Sequence, residues 1–261
     1  MTDTLLTLAC DTARAAGAQL LETFADVARL RTDTKSGPTD LVSEADRAAE
    51  ALIRSRLAAE RPDDAILGEE EDDKPGTSGL RWVVDPLDAT VNYLFGIPQW
   101  AVSIACEDAA GTTLAGVVFD AVRDELWTAT SDGPAALDGR PLPPPEPAQD
   151  LAVAMVATGF GYDAHIRAEQ GVAMARLVPQ VRDIRRMGCA ALDLAWTAAG
   201  RYDVYYEHGL NHWDRAAGEL ICRRVGLTIR PLPALPSTAE GILVGAPGLV
   251  DQVAGIVAGG A

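Results

Sequence analysis

Residues 82–90 carry the densest set of groups that could do chemistry, and they read WVVDPLDAT. The apolar start of this run predicts a buried strand that brings Asp85 to its carboxyl end. Pro86 should end the hydrogen-bond ladder of this strand, because it has no N–H group and its φ is fixed. Asp88 follows where a helix can begin, and the Leu87 carbonyl lies between the two acids. Carboxylate and carbonyl oxygens are the ligands that Mg²⁺ prefers, so this turn is a candidate metal site.

The same turn is also a candidate anion site. A helix that begins near Asp88 would direct the backbone amides of Ala89 and Thr90 outward, which is an arrangement that holds phosphate groups. The structural alternative is that Asp88 is an ordinary helix N-cap and Asp85 an acid in a surface turn. The segment alone leaves both interpretations open, because two acids at this spacing are common.

Two further segments present acids in comparable positions. Glu69 follows the apolar stretch 65–67, so a second short strand ends in a carboxylate, although residues 69–73 could instead form a solvated acidic face. Asp214 starts a helix of small residues, WDRAAG at 213–218, that can pack closely; helix capping is its structural alternative.

Asp46 ends the segment 40–46, which reads DLVSEAD. Ser43 and Asp46 have the spacing of a helix capping box, with Asp in place of the usual Glu, so Asp46 also has a structural explanation. The preceding turn-rich loop contributes Lys35, for which a solvated loop charge is the alternative to a role in a site.

Composition restricts the classes of partner. The chain has 261 residues, of which 22 are basic and 38 acidic, for a formal net charge of −16. This charge argues against binding to nucleic acid and to anionic membranes, and we expect neither partner. An acidic protein that handles anions needs a local source of positive charge, and a bound metal is the leading candidate.

Other features predict a folded protein of the cytoplasm. The longest apolar run, residues 151–157, is too short to span a membrane, and no basic region precedes the first apolar residues as it would in a secretory signal. The four cysteines lie far apart without zinc spacing, and we interpret them as reduced thiols, mostly in the core.

Hydrophobic periodicity predicts the helices and strands that must position the candidate site residues. Helices are expected over 5–24 and around 49–57, and strands over 65–67, 82–84, 100–106, 114–119 and 125–130, the last two as a hairpin. Beyond the proline-rich segment 141–147 we expect strands at 151–157, 204–206, 227–230 and 242–244, and helices at 164–178, 190–199, 214–225 and 249–257.

This order of elements predicts an α/β fold with an α+β N-terminal half and an α/β C-terminal half. The proline-rich segment is the best candidate linker. We therefore expect an α+β subdomain over residues 1–147, which carries the metal-binding motifs, and an α/β subdomain over 148–261, which completes the active site.

Four segments, in this order, resemble the motifs of the inositol monophosphatase family of metal-dependent, lithium-sensitive phosphatases. Residues 40–46 resemble its D-L-V-T-x-x-D, 68–70 its G-E-E, 82–93 its W-x-x-D-P-x-D-G-T-x-N-[FY], and 213–218 its W-D-x-A-A-G. The resemblance spans nearly the whole chain, and segments 185–193 and 205–209 are most similar to bacterial members assigned to inositol phosphates. It implies a layered αβαβα sandwich of the inositol monophosphatase/fructose-1,6-bisphosphatase type, commonly a homodimer.

The resemblance implies a site for two or three Mg²⁺ ions. Its metal ligands would be Glu69, Asp85, the Leu87 carbonyl, Asp88 and Asp214. Such ions lower the pKa of water and stabilise the attacking and leaving oxygens of an in-line displacement. The implied catalytic residues are Glu69, Thr90 and Asp46, where the Asp46 carboxylate accepts from the Thr90 hydroxyl and helps position the attacking water.

The resemblance also implies contacts to a phosphate ester. The residues concerned are Asp88, Ala89, Thr90, Gly188, Cys189, Ala190, Glu207 and Asp214. The phosphate would lie on the metals and on the amides near Ala89 and Thr90. Glu207 matches a carboxylate that holds ring hydroxyls, residues 188–190 match a wall against the ring, and Lys35 matches a loop lysine near the active site of some relatives.

Two residues depart from the family pattern. Cys189 stands where Ser or Thr is more usual, so a hydroxyl contact is lost there. Ala89 stands where the motif has glycine, which tolerates positive φ and lets the backbone approach phosphate closely. An alanine in the left-handed conformation costs about 1–2 kcal/mol, whereas at negative φ the substitution would be harmless.

The leading hypothesis from the sequence is Mg²⁺-dependent hydrolysis of myo-inositol monophosphate to myo-inositol and phosphate. Within the same superfamily, histidinol phosphate, fructose 1,6-bisphosphate and a nucleotide bisphosphate are the alternative substrates. A hypothesis of another class is that the protein is a weakly active or regulatory relative, because Ala89 replaces the glycine of the motif.

Overall fold

The computed structural model describes residues 1–24 and 44–259, and these ranges contain seven α-helices and twelve β-strands. The helices are α1 (Thr2–Phe24), α2 (Glu44–Glu60), α3 (Thr90–Leu94), α4 (Ala164–Leu177), α5 (Ala190–Ala198), α6 (His212–Arg224) and α7 (Pro247–Val257). The strands are β1 (Ala65–Gly68), β2 (Leu80–Asp88), β3 (Ala101–Asp108), β4 (Thr113–Asp120), β5 (Glu125–Thr130), β6 (Ala136–Leu137), β7 (Arg140–Pro141), β8 (Met155–Thr158), β9 (Asp183–Arg185), β10 (Val204–His208), β11 (Thr228–Leu232) and β12 (Gly241–Gly245).

Two sheets alternate with three layers of helices. Strands β1 to β7 form one sheet in chain order, parallel between β1 and β2 and antiparallel elsewhere, and the second sheet has the order β11-β12-β10-β8-β9. Helices α1 and α2 cover one face of the first sheet, α5 and α6 lie between the sheets, and α4 and α7 cover the far face of the second. The predicted α/β class and αβαβα sandwich are confirmed.

The middle helix layer connects the two halves of the chain. In α6, Ala217 and Ile221 are fully buried in the same hydrophobic cluster as Trp82 and Trp100 of the first half. The second sheet has a separate apolar cluster on its far face, which includes Leu177 and Val253. The core of the first sheet therefore includes helices α5 and α6 from beyond residue 147. The division into subdomains at residue 147 remains a prediction.

Two predicted elements are wrong in detail. Pro86 does not end the ladder, because β2 continues to Asp88 and pairs again with Ala101 after an irregularity between Asp85 and Asp88. The apolar run 151–157 is not one strand, because the Asp150 carboxylate accepts from the Ala152 amide and starts a 3₁₀ turn, which delays β8 until Met155. The other predicted elements are present with ends shifted by a few residues, and the helix expected to begin near Asp88 is α3, which begins at Thr90. The short strands β6, β7 and β9 were not predicted.

The structure agrees with the interpretation of the cysteines as reduced thiols, mostly in the core. All four cysteines are free, and Cys106, Cys189 and Cys222 are buried. Burial raises the pKa of Cys10 to about 11 and that of Cys106 to about 12, so both thiols are protonated at neutral pH. Within residues 1–24 and 44–259, no helix is long and apolar enough to cross a membrane.

Close packing between α5 and α6 predicts that Gly218 tolerates no side chain. A Cβ at Gly218 would lie 2.6 Å from the Cβ of Leu194, so Gly218→Ala should force the two helices apart. Overpacking of this kind costs about 1–3 kcal/mol, or about 2–4 °C of melting temperature for each kcal/mol. Gly255→Ala in α7 is the matched control, because nothing lies within 4 Å of the position that its methyl group would take, and it should be neutral or slightly stabilising. Equal melting temperatures for the two variants would contradict the close approach.

Candidate active site

The ends of β1 and β2, the strand β10 and the start of α6 meet at a cavity of about 300 Å³. Its lining includes ten of the predicted site residues: Glu69, Asp85, Leu87, Asp88, Ala89, Thr90, Gly188, Ala190, Glu207 and Asp214. Asp46 and Cys189 are buried beside the cavity and do not line it. Lys35, Asp40 and Ser43 lie outside the described residues. The fold thus brings together acids that are far apart in the sequence.

Asp85 is a buried acid in a tight turn. Its side chain is 1% exposed, and Oδ1 accepts a hydrogen bond of 3.0 Å from the Leu87 amide across Pro86. The interpretation of Asp85 as a surface acid is therefore wrong. The Leu87 carbonyl, next in the turn, accepts from the Thr90 hydroxyl at 3.2 Å. Asp85, Leu87 and Thr90 are consequently fixed relative to one another.

Asp88 is engaged by a different helix from the one it precedes. Its Oδ2 accepts from the Ala191 amide at 2.6 Å and from the Cys189 thiol at 3.2 Å, both at the start of α5. The N-cap of α3 is Ala89, so the N-cap interpretation of Asp88 is wrong. This contact also explains why Cys189 does not line the cavity: its thiol is directed at Asp88.

Asp214 combines its structural alternative with a place in the cavity. Its Oδ2 accepts from the Asn211 amide at 2.7 Å and completes a capping box at the start of α6. The cap fixes the side chain at the cavity wall, and helix capping and a role in the site are thus compatible for this residue.

The cavity acids are destabilised as anions. Burial, followed by the charges of Asp214 and Asp46, raises the pKa of Glu69 to about 7, and burial raises the pKa of Asp214 to about 6. Burial and neighbouring carboxylates raise the pKa of Asp85 and of Asp88 well above the ordinary value. Each of these acids is therefore a weaker acid than a solvated carboxyl group, and a positive charge that joined the cluster would stabilise its ionised form.

The partners of these acids differ from those of other buried acids. Two buried carboxylates elsewhere pair with arginine: Asp64 with Arg61 at 2.9 Å and Asp120 with Arg123 at 2.6 Å. Among the described residues, none of the four cavity acids Glu69, Asp85, Asp88 and Asp214 forms an ion pair; the last three accept from backbone amides. Amides satisfy the oxygens without cancelling their charge, so the negative charge stays available for a cation.

The donor set fits a hard cation such as Mg²⁺. It consists of carboxylate oxygens and the Leu87 carbonyl, and Asp88 and Asp214 each engage only Oδ2 with the protein donors described. No three acidic, histidine or cysteine side chains within the described ranges already form a closed metal cage. Binding of a cation would therefore require the carboxylates to turn toward a common centre.

Glu207 defines the other end of the cavity. Its Oε2 accepts from the Tyr205 hydroxyl at 2.7 Å, and a side chain at Gly159 would collide with its carboxylate. Burial raises the pKa of Glu207 to about 7, although Tyr205 and Arg186 lower it. Residues two apart on a strand share one face, and this spacing is the signal in the sequence that links Tyr205 to Glu207.

Ala89 has the strained conformation that the motif glycine would adopt freely. Its φ is 79° and its ψ 48°, which is left-handed, so the cost of about 1–2 kcal/mol applies. The helix α3 that follows has only five residues, which limits what its dipole can add to anion binding.

The Thr90 hydroxyl has one proton to donate, and it donates this proton to the Leu87 carbonyl. The hydrogen bond from Thr90 to Asp46 therefore remains a prediction, and it requires the Thr90 side chain to turn away from Leu87.

A buried glutamate that the sequence analysis missed holds the start of α6 in place. Glu107, on β3, is fully buried and accepts from Arg81 at 2.7 Å, and it contacts the His212 ring at 2.6 Å. On the same strand, the Ser103 hydroxyl donates to the Trp213 carbonyl at 3.3 Å. Strand β3 therefore fixes the two residues before Asp214. Glu107 has no signal in the sequence, because its partners come from distant segments.

This arrangement predicts that Glu107→Gln disturbs the site as well as the fold. The variant loses the charge that holds Arg81 and His212, at a cost of about 1–3 kcal/mol. Asp120→Asn is the matched control, since it removes an equally buried carboxylate that is paired with Arg123 and whose hydrogen bonds go to residues 122 and 123. Both variants should melt earlier, but only Glu107→Gln should reduce the rise in melting temperature that Mg²⁺ produces. Equal Mg²⁺ responses would contradict this role.

Comparisons with known proteins agree with this geometry. The model of the inositol monophosphatase family matches residues 1–249. A protein of Mycobacterium tuberculosis named inositol-1-monophosphatase SuhB is 43% identical over 228 residues, covering 84% of this chain and 78% of the relative. A Salmonella typhimurium protein named Nus factor SuhB is 40% identical over 224 residues, covering 85% and 83%.

The fold has close matches among solved structures. The extragenic suppressor protein suhB of Bartonella henselae matches with a TM-score of 0.88 at 32% identity, covering 99% of this chain and all of that one. Sequence motifs, family model and fold agree over nearly the full length. This chain belongs to the inositol monophosphatase family.

Proposed function

We propose that this protein is a Mg²⁺-dependent phosphomonoesterase, and that myo-inositol monophosphate is its substrate. The observation that carries the proposal is that Glu69, Asp85, Asp88 and Asp214 line one cavity and have no ion-pair partner among the described residues. The names of relatives, such as the inositol-1-monophosphatase of Mycobacterium tuberculosis, support the substrate class.

In this proposal the acids hold the metal and the rest of the cavity holds the ester. Glu69, Asp85, the Leu87 carbonyl, Asp88 and Asp214 are the metal ligands. When bound, Mg²⁺ offsets their negative charge and supplies the positive charge that attracts a phosphate. The chain keeps these side chains in place through its own amides, at Leu87, Ala191 and Asn211.

The remaining residues orient the reacting groups. Thr90 and Asp46, with Glu69, position the attacking water; the Thr90 hydroxyl donates to Leu87 and would turn to Asp46 for this role. Glu207, fixed by Tyr205, accepts from hydroxyls of the alcohol part, while Gly188 and Ala190 form a wall without bulky side chains. Asp88, Ala89, Thr90 and Asp214 surround the phosphate, and Cys189 acts indirectly by donating to Asp88.

The proposal predicts that Glu69→Gln and Asp85→Asn lose phosphate release while they remain folded. Each removes a charged ligand, so Mg²⁺-dependent release of phosphate from myo-inositol 1-phosphate should fall to the blank. Mg²⁺ should raise the melting temperature of the wild type more than that of either variant. Glu71→Gln is the control, because Glu71 is exposed, pairs with Arg54 at 3.5 Å and does not line the cavity.

Two outcomes separate the alternatives. Near-normal phosphate release by both folded variants would overturn the metal site. A panel that adds histidinol phosphate, fructose 1,6-bisphosphate and a nucleotide bisphosphate, with and without Mg²⁺, tests the substrate: a higher kcat/KM for one of these esters would replace the inositol phosphate.

A second candidate is a regulatory relative with weak activity. It is favoured by the strained Ala89 at the cavity, with φ of 79°, and by the relative that is named a Nus factor. The intact set of acids favours the enzyme. Absence of phosphate release from every ester would support the regulatory alternative.

Ala89→Gly distinguishes a fully active enzyme from a weakened one. Glycine removes the left-handed strain of about 1–2 kcal/mol, but the greater entropy of the unfolded chain costs about 0.4–1 kcal/mol. We therefore expect the free energy of unfolding to rise by up to about 1.6 kcal/mol in melting experiments. Ala258→Gly, at an exposed residue with φ of −74°, relieves no strain and should lose stability. A large rise in kcat/KM for Ala89→Gly would identify a weakened phosphatase, and an unchanged value would show that the methyl does not obstruct the phosphate.

The finer expectations belong to the same proposal. We propose two or three Mg²⁺ ions, sensitivity to lithium, a cytoplasmic location and a homodimer, with a small phosphate ester as the ligand and no nucleic acid or membrane partner. The net charge of −16 supports the last expectation. Counting bound ions and measuring the mass in solution would test the metal number and the dimer.

A further inference from the structure

The charges around the cavity include one permanent cation. Among the described residues that line it, Glu69, Asp85, Asp88, Glu207 and Asp214 are acids, and Arg186 is the only Lys or Arg. His208 also lines the cavity, but burial lowers its pKa below the ordinary value, so it is neutral at neutral pH. Arg186 is therefore the one lining side chain that can attract an anion by its own charge.

The local backbone directs Arg186, and not its neighbour, to the cavity. Arg185 ends β9 and its guanidinium pairs with Asp183 at 2.6 Å. Arg186 follows the strand, and its guanidinium lies over Gly188, where any Cβ would collide with Nη1. Gly188 has a φ of 79°, so glycine here provides both the turn and the room for the guanidinium.

Most N–H donors of the Arg186 guanidinium have no hydrogen-bond acceptor among the described residues. Its one hydrogen bond to a described residue runs from Nη2 to the Phe160 carbonyl at a long 3.4 Å, and it forms no ion pair within the described part of the chain. A guanidinium carries five N–H donors in a planar fork that matches phosphate. Most of its hydrogen-bonding capacity is thus available to a ligand at the cavity mouth, where Arg186 is exposed.

Arg186 lies toward the alcohol end of the site. Its guanidinium donates to the Phe160 carbonyl, and the residue before Phe160, Gly159, lies directly against the Glu207 carboxylate. Arg186 follows β9 and Glu207 lies on β10, both in the second sheet, whereas Glu69 and Asp85 lie at β1 and β2 of the first sheet. A ligand whose reacting phosphate lies at Glu69 and Asp85 would therefore bring the far side of its alcohol part toward Arg186.

We propose that Arg186 forms a second anion-binding point, so that the site also binds, besides the inositol monophosphate, phosphate monoesters whose polyol part carries a second phosphate group. This inference rests on the proposed function, because it takes the reacting phosphate to lie at the acid cluster. The guanidinium would hold the second phosphate by two charge-assisted hydrogen bonds. Glu207, on the same side, would accept from a neighbouring hydroxyl, which favours a polyol bisphosphate over a more highly phosphorylated polyol.

A matched pair of substrates tests the second anion point. myo-Inositol 1-phosphate and myo-inositol 1,4-bisphosphate share the same ester and differ in the second phosphate. We expect the wild type to have the lower KM for the bisphosphate, and Arg186→Ala to raise that KM at least about tenfold, since a charge-assisted hydrogen bond is worth about 1.5–3 kcal/mol. The KM for the monophosphate should change less than about threefold. Arg186→Lys should restore part of the preference, because it keeps the charge and loses the fork.

Arg185→Ala is the control, because it removes an adjacent arginine that pairs with Asp183 and does not line the cavity. It should leave both KM values unchanged. Equal loss for both substrates in Arg186→Ala would place Arg186 on the reacting phosphate and overturn the inference. No loss for either would mean that Arg186 only offsets the charge of Glu207, which also overturns it.

A binding measurement separates this inference from the proposed function. Calorimetry with the Glu69→Gln variant as a non-hydrolysing background gives the affinity for both ligands without turnover. Weaker binding of the bisphosphate when Arg186→Ala is added supports the second anion point even if no ester is hydrolysed, and unchanged binding overturns it. Failure of the wild type to release phosphate from any ester would overturn the proposed function alone.

Discussion

Repulsion among carboxyl groups that share one cavity is the constraint on which the rest of the site depends. Glu69, Asp85, Asp88 and Asp214 are brought together by two strands and a helix, and burial raises the pKa of each of them. Neighbouring carboxylates raise the pKa of Glu69, Asp85 and Asp88 further. The fold restrains three of the four acids with backbone amides, whereas Asp64 and Asp120 pair with arginines. The charges of Asp64 and Asp120 are thus offset inside the protein. A cavity acid is only positioned there, and its charge is left for a ligand.

The same distinction refines the meaning of the overall charge of −16. Most acids are solvated or paired and account for solubility, while the cavity acids form a local source of negative potential. With cations bound, that region would attract the phosphate that it would otherwise repel. Arg186 supplies positive charge to the same cavity from the second sheet, after β9, whereas Glu69 follows β1 of the first sheet.

The sequence predicted what depends on local pattern and on contiguous motifs. The periodicity of α1 and α6 and the acids of β1 and β2 were identified because neighbouring residues carry the signal. Contacts between distant segments carry no such signal, and so Glu107 against His212, and Arg186 beside Gly188, were missed. Pro86 was misjudged for a related reason: pairing of Asp88 with Ala101 resumes the ladder, which proline alone would interrupt.

Ala89 shows that contacts from distant segments, and not the preference of the residue itself, control the backbone at the site. Its own preference is for negative φ, yet it adopts 79° because the residues on both sides are fixed by other elements. Asp88 is fixed by the Ala191 amide, and the Leu87 carbonyl accepts from Thr90 just after the turn. A local strain of about 1–2 kcal/mol persists only where surrounding contacts outweigh it. The left-handed turn is therefore a property of the fold, and the exchange of glycine for alanine alters the surface that meets the phosphate more than the path of the chain.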